Sequence, residues 1–276
     1  MPASPEASEA STPKVAEQKL QSIAAKITVR NLNFYYGNAK ALNDISLEIP
    51  ERRVTAFIGP SGCGKSTIMR MIAGLTRPSE GAIDVAHDTG NPQPVSVVFQ
   101  DATLLPWRSV LANVALPLEL RKVRRREREE AAHSALELVG LAGQARALPR
   151  QLSGGMRMRV SIARALVGHP PLLLMDEPFG ALDEITRQQL QSELLRIWSR
   201  EKCTIDFITH SVTEAVFLSN RIAVMTPSPG RIAELFDVPI AYPRSDDLRT
   251  APEFSKIVAS ISLALHRLLR GERVGQ

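Results

Sequence analysis

Directly after the apolar run VTAFI come nine residues unsuited to a packed core: Gly59, Pro60, Ser61, Gly62, Cys63, Gly64, Lys65, Ser66 and Thr67. The first eight fit the pattern G-x-x-x-x-G-K-[ST]. Glycines let successive backbone N–H groups turn inward without Cβ clashes, which makes a nest for an anion. A helix beginning there aims its positive end at the same spot. Lys65 adds a full positive charge suited to β- and γ-phosphates, and the Ser66 hydroxyl suits a magnesium ion. The chemistry implied is the gripping of a nucleotide triphosphate.

Further chemistry-bearing residues stand farther along the chain. The run LLLMDE ends in Asp176 and Glu177. An acid at the tip of a buried strand can hold Mg²⁺ together with Ser66, and Asp176 fits that role. Glu177 could polarise a water molecule for attack on a phosphate. Gln100 closes VSVVFQ and His210 closes FITH. In an open parallel sheet, ligands bind beyond the carboxyl ends of the strands. The loop 59–66, Gln100, Asp176, Glu177 and His210 are therefore expected to meet in one crevice.

Positioning such residues takes a sheet. KITVRNLNFYY, DISLEI, RVTAFIG, PVSVVFQ, PLLLMDE, TIDFITH and RIAVM read as strands, short and rich in β-branched or aromatic residues. PLLLM has no polar alternation and suits a strand buried on both faces. Ile68, Met71, Ile72 and Leu75 fall on one helical face after the glycine loop, and Leu190, Leu194, Ile197 and Trp198 on another. Strands alternating with helices predict an α/β domain with a mainly parallel sheet. Residues 101–168 read as an inserted helical subdomain. Residues 1–25, rich in Ala, Ser, Pro and Glu, read as a flexible tail. The nucleotide-binding domain is expected over 26–230 and a C-terminal extension, with a helix at FSKIVASISLALHRLL, over 231–276.

Composition narrows the class. The chain has 276 residues, 44% hydrophobic and 23% charged, as expected of a soluble globular protein. No apolar run reaches the roughly 18 residues needed to span a bilayer, and no secretory leader is expected at the start. Cys63 and Cys203 match no disulfide or metal spacing and read as free thiols. The net charge of +5 leaves nucleic acid as a partner class to weigh. The densest basic cluster, RKVRRREREE, carries its own glutamates and reads as an exposed helix with internal ion pairs.

One more stretch, QLSGGMRMRVSIARAL, changes the reading. LSGG at 152–155 lies between the glycine loop and the MDE strand and resembles the signature of ATP-binding-cassette (ABC) ATPases. The order GPSGCGKS, Gln100, LSGG, LLLMDEP, GALD and His210 is that family's order. Tyr36 matches its adenine-stacking aromatic. The resemblance covers residues 27–230. It implies a P-loop NTPase core of RecA-like α/β type with an N-terminal antiparallel β subdomain and an inserted α-helical subdomain. It also implies ATP and Mg²⁺ as cofactors and a head-to-tail homodimer. Ser153, Gly154 and Gly155 of one copy would then face the loop of the other, with Asp183 at the seam. His210 would touch the γ-phosphate and Gln100 would sense metal and water. Met156, Met158 and Ser211 depart from the usual residues, and Asp206 interrupts an apolar strand.

The same resemblance implies a transport motor at the cytoplasmic face of the inner membrane. Its partners would be two integral membrane permease subunits and a periplasmic or lipid-anchored solute-binding protein, with no nucleic acid. DATLLPWRSVLANVALPLEL offers Trp107 and an apolar rim as a groove for a permease helix. LLPWRSVLANV, DEPFGALDEITR, THSVTEAVFLSNRIAVM and PSPGRI resemble importers of nitrate, sulfonate, taurine or bicarbonate. NLNFYYGNAKAL and VTAFIGPSGCGKST resemble phosphate importers instead. A cassette acting on nucleic acid is a further alternative, and a regulator without turnover is another, which Lys65 and Glu177 oppose.

Overall fold

The computed structural model describes residues 24–86 and 95–270, so the tail expected over 1–25 lies almost wholly outside the described residues. Two sheets organise the chain. The larger runs β5 (Val95–Val98), β6 (Leu172–Asp176), β7 (Thr204–Ile208), β3 (Val54–Ile58), β8 (Arg221–Met225) and β9 (Ile232–Asp237) in spatial order. All neighbours are parallel except β9, which pairs antiparallel with β8. Every residue of β3 and β7 is buried, as unalternating apolar runs require when both faces are covered.

The smaller sheet joins β1 (Ala25–Tyr36), β2 (Ala39–Pro50) and β4 (Glu80–Val85) in the order β2-β1-β4, all antiparallel. A tight turn pairs Tyr36 with Ala39, and Gly37 takes a φ of 56° there. This sheet and helix α1 (Lys65–Ile72) cover one face of the large sheet, around Ile27, Leu32, Ile45, Phe57 and Ile68. Leu75 does not extend the α1 face as its spacing suggests. Gly74 turns left-handed at a φ of 72° and ends the helix, so Leu75 is exposed.

The other face carries α2 (Val110–Leu120), α3 (Arg125–Leu138) and α4 (Gly154–Leu166), which pack on one another as the helical block. Ser109 caps α2 and Ser153 caps α4, each accepting a bond from a first-turn N–H. The basic run behaves as its glutamates suggest: Arg124 pairs with Glu127, Arg125 with Glu129 and Arg126 with Glu130, all exposed. α5 (Glu184–Glu201), α6 (Val212–Leu218) and α7 (Pro252–Leu269) complete this layer, with Leu190, Leu194, Ile197 and Trp198 buried together.

Two strands escaped the sequence reading. β4 is mostly exposed and β9 is a half-exposed edge, so neither carries a strong apolar pattern. β9 ties residues beyond 230 into the main sheet. Buried Arg244 does the same farther on, donating to the carbonyls of Val216, Phe217 and Ser219 at the end of α6.

Candidate nucleotide site

The glycine loop leaves β3 at Ile58 and enters α1 at Lys65, the strand–loop–helix order that its chemistry requires. The loop passes so close to β8 that a Cβ at Gly59 would stand 2.9 Å from the Met225 carbonyl oxygen. Gly64, with a φ of 98°, is the residue on which α1 begins, and a Cβ there would overlap the Leu42 side chain. Both positions admit only glycine if the loop is to keep its path.

Lys65 is buried, and its ammonium donates to the carbonyls of Gly59 at 2.9 Å and Pro60 at 3.0 Å. It is thereby held over the loop's own mouth. The Ser66 hydroxyl donates to Asp176 Oδ1 at 3.1 Å, joining the first turn of α1 to the tip of β6. Burial pushes the Asp176 carboxyl above its ordinary range. The Ser66 hydrogen bond opposes that rise and the Glu177 charge adds to it.

Glu177 leaves the β6 line sharply, at a φ of 47°, while its N–H bonds to the Ile208 carbonyl of β7. That bend brings Glu177 Oε2 to 3.4 Å from His210 Nδ1, past the end of β7. The glutamate is more shielded than the histidine, which is largely open to solvent. Gln100 lies two residues beyond β5, with its amide nitrogen 3.4 Å from where a Cβ on Gly180 would sit. It therefore rests on the turn that follows Glu177. The expected convergence of loop, Gln100, Asp176, Glu177 and His210 at the carboxyl ends of the strands is thus present in the fold.

A cavity of ≈ 460 Å³ opens over the loop. Its wall includes Tyr36, Ser61, Gly62, Gly64, Lys65, Ser66, Thr67 and Glu177. Tyr36 projects from the β1–β2 turn, 58% exposed, with its hydroxyl 3.1 Å from Thr67 Oγ1 and its ring edge-on to Phe34. Lys40 and Ser228 also line the cavity. The sequence reading gave neither a role: both fell within resemblance runs with no chemistry attached, and Ser228 reaches the wall because the segment after β8 folds back on the loop, with Gly230 against the Cys63 carbonyl.

Ser153, Gly154 and Gly155 do not line this cavity. They open α4 in the helical block, with Ser153 and Gly154 exposed. Gly155 is packed so tightly that a Cβ would stand 2.5 Å from Thr186 Cγ2 on α5. Asp183 caps α5 by accepting from the Thr186 N–H, so both conspicuous loops bear on the same helix start. Met158 is buried in the core, and Ser211 caps α6 as an aspartate could. Cys63 and Cys203 are free and buried. Burial raises both thiols, Cys203 to about 12, which makes them poor nucleophiles.

The donor set fits a hard divalent cation: one hydroxyl and one carboxylate oxygen, 3.1 Å apart, at the rim of a phosphate-sized nest. Ser66 and Asp176 would hold it, with phosphate oxygens completing the shell. It would supply charge neutralisation between phosphates.

A glycine nest between strand and helix, backed by the acid pair at the end of β6 two strands away, defines a P-loop NTPase; an added antiparallel sheet and helical block specify its subclass. The family model described as "ABC transporter" matches residues 42–180. An uncharacterised ABC transporter ATP-binding protein of Methanocaldococcus jannaschii is 47% identical over 243 residues, 86% of this chain and 90% of that protein. A taurine import ATP-binding protein of Rhizobium johnstonii is 45% identical, covering 84% and 91% of the two chains. A solved dimeric ATP-binding cassette in a post-hydrolysis state, bound to ADP and phosphate, superposes with a TM-score of 0.67. It is 29% identical and covers 78% of this chain and all of its own. The chain belongs to the ABC transporter family and is one of its ATP-binding, ATP-hydrolysing subunits.

Proposed function

We propose that this subunit powers import of an organosulfonate such as taurine, by closing and reopening a dimer around two ATP molecules. The observation that carries the reading is the pair Glu177–His210, 3.4 Å apart, at the mouth of the loop that holds Lys65 and Ser66. In this reading the backbone of 59–64 and the Lys65 ammonium bind the triphosphate, and Tyr36 supports the adenine. Glu177 takes the proton of the attacking water, while His210 donates to the γ-phosphate and keeps the carboxylate turned toward it. Gln100, past the end of β5 and against the Glu177–Gly180 turn, monitors the same spot. Ser66 and Asp176 hold Mg²⁺.

Ser153, Gly154 and Gly155 lie outside the cavity of their own chain, which suits contact in trans with the γ-phosphate in a second copy's cavity. Asp183 would border that seam. Each phosphate group would then need both copies, so ATP favours the closed dimer and hydrolysis releases it. The solved relative is itself dimeric.

Transport requires partners, since among the described residues no helix is long and apolar enough to cross a membrane. Trp107, 75% exposed, offers an aromatic anchor for a short helix of a permease subunit. Two such subunits and a solute-binding protein complete the importer, with this chain at the cytoplasmic face of the inner membrane. The name of the Rhizobium relative supports taurine as substrate class. The test is reconstitution with the membrane subunits that co-purify with this chain from its native membranes. ATP turnover stimulated by a taurine-loaded binding protein is the expected result. Stimulation by phosphate instead, or by DNA without any permease, would overturn the reading.

A further inference from the structure

Three residues given no role so far, Arg187, Glu214 and Thr209, connect the Asp183 loop to His210. Arg187 sits one turn into α5, and its guanidinium reaches back over residues 179–184. It donates to the Leu182 carbonyl at 2.9 Å and the Phe179 carbonyl at 3.4 Å, and pairs with Glu184 at 3.0 Å. On its other side, Arg187 Nε stands 3.6 Å from Glu214 Oε1 on α6. The second oxygen of Glu214 accepts from the Thr209 hydroxyl, the residue before His210. Thr209 Oγ1 in turn accepts from the N–H of Ser211, the residue after it. The backbone of His210 is thus bracketed by one hydroxyl, and that hydroxyl is held by Glu214.

The connections close a ring. Glu177 leads through the 178–183 turn to Arg187, then to Glu214 and Thr209, then to His210, whose Nδ1 returns to Glu177. Glu214 is buried, with a carboxyl raised by burial and lowered by Thr209 and Arg187. A buried carboxylate keeps its place only when it is paired. Neither Glu214 nor Arg187 lines the cavity.

We propose that the Arg187–Glu214 pair is a positioning element that sets His210 against Glu177 according to the place of the 179–184 loop. The inference rests on the proposed role of His210 at the γ-phosphate. If a second copy displaces that loop on closure, Arg187 moves with the loop carbonyls it grips, and Glu214 moves Thr209 and His210. An ATP-bound monomer would then hold its histidine off line, which restrains turnover until the dimer forms.

The test uses the full chain with MgATP and the variants R187M, E214Q, H210A and E214Q/H210A. E214Q is nearly isosteric and keeps an acceptor for Thr209 while losing the charge facing Arg187. The expected result for R187M and E214Q is a kcat lower by roughly tenfold to a hundredfold, the scale of a misplaced catalytic group. Affinity for MgATP should stay within twofold. In the H210A background, E214Q should cost nothing more. The second readout is NMR of the five histidine rings, with the His210 signal assigned from H210A. R187M, which does not touch the ring, should shift that signal.

Parental turnover in E214Q overturns the positioning role while leaving His210 intact. So do losses that multiply in the double variant, or an unmoved His210 signal in R187M. Parental turnover in H210A overturns the underlying role of His210 instead, and this inference with it.

Discussion

His210 Nδ1 stands 3.4 Å from Glu177 Oε2 although the two residues lie on different loops, one past β6 and the other past β7. Their meeting follows from two features. β6 and β7 are parallel neighbours, with Asp176 in register with Ile208. Glu177 then adopts a left-handed bend and bonds its N–H to Ile208. Glu177→Gln removes the basic oxygen without changing shape. ATP binding should persist and turnover should fall by about a hundredfold or more, the usual loss for a general base. Single-turnover kinetics beside nucleotide titration checks this. A variant hydrolysing at the parental rate would remove Glu177 from its role.

Lys65 presents the opposite signature. Its ammonium is buried at the loop and already directed by two carbonyls, so little rotamer freedom is lost when phosphates arrive. Lys65→Ala should weaken MgATP binding by roughly tenfold to a hundredfold, the scale of a hydrogen bond to a charged group. Thermal stability should change far less. Calorimetric titration reads this directly, and an unchanged dissociation constant would show that the phosphates bind elsewhere.

Most of the site could be read before the fold was known, because its chemistry depends on short contiguous runs. GPSGCGKS and MDE carry their geometry with them, and strand tips converge by the rule for open sheets. Lys40, Ser228, Arg187 and Glu214 were not legible. Each acts through a contact between segments far apart in sequence, and a lone lysine, serine or ion pair carries no periodic mark. The strands showed the same limit. Buried β3 and β6 announced themselves as unbroken apolar runs, whereas exposed β4 and edge strand β9 could not.

Trp107 is 75% exposed while Val110 and Val114 just after it are fully buried. Its ring therefore contributes little to the core. Trp107→Ala should leave the isolated chain's stability within about 0.5 kcal/mol and its basal ATP turnover unchanged. Association with permease subunits in detergent should weaken markedly, as loss of an aromatic anchor does. Co-purification at equal expression measures it. Undiminished capture would place the permease contact on another surface.

Asp206 lies in β7 in register with Thr55 of β3 and Leu174 of β6, and both of its oxygens lack a hydrogen-bond partner. The Thr55 hydroxyl beside it is equally unpartnered. Burial alone raises this carboxyl well above its ordinary range, and no neighbouring charge contributes. The folded chain therefore holds the Asp206 proton to a higher pH than the unfolded chain, which ionises it above about pH 3.9. Below that pH both states hold the proton and folding loses nothing. As pH rises toward the folded-state value, the unfolded chain gains an ionisation that the folded chain is denied, so stability drains away. Asp206→Asn removes the titration in both states. Its advantage over the parent should be small at pH 4.5 and should widen as pH rises until the folded-state value is passed, as read by urea unfolding at each pH. The comparison cancels every other titrating group common to the two chains. A stability difference that stays level across that range would mean that Asp206 is ionised in the folded protein and has found a partner.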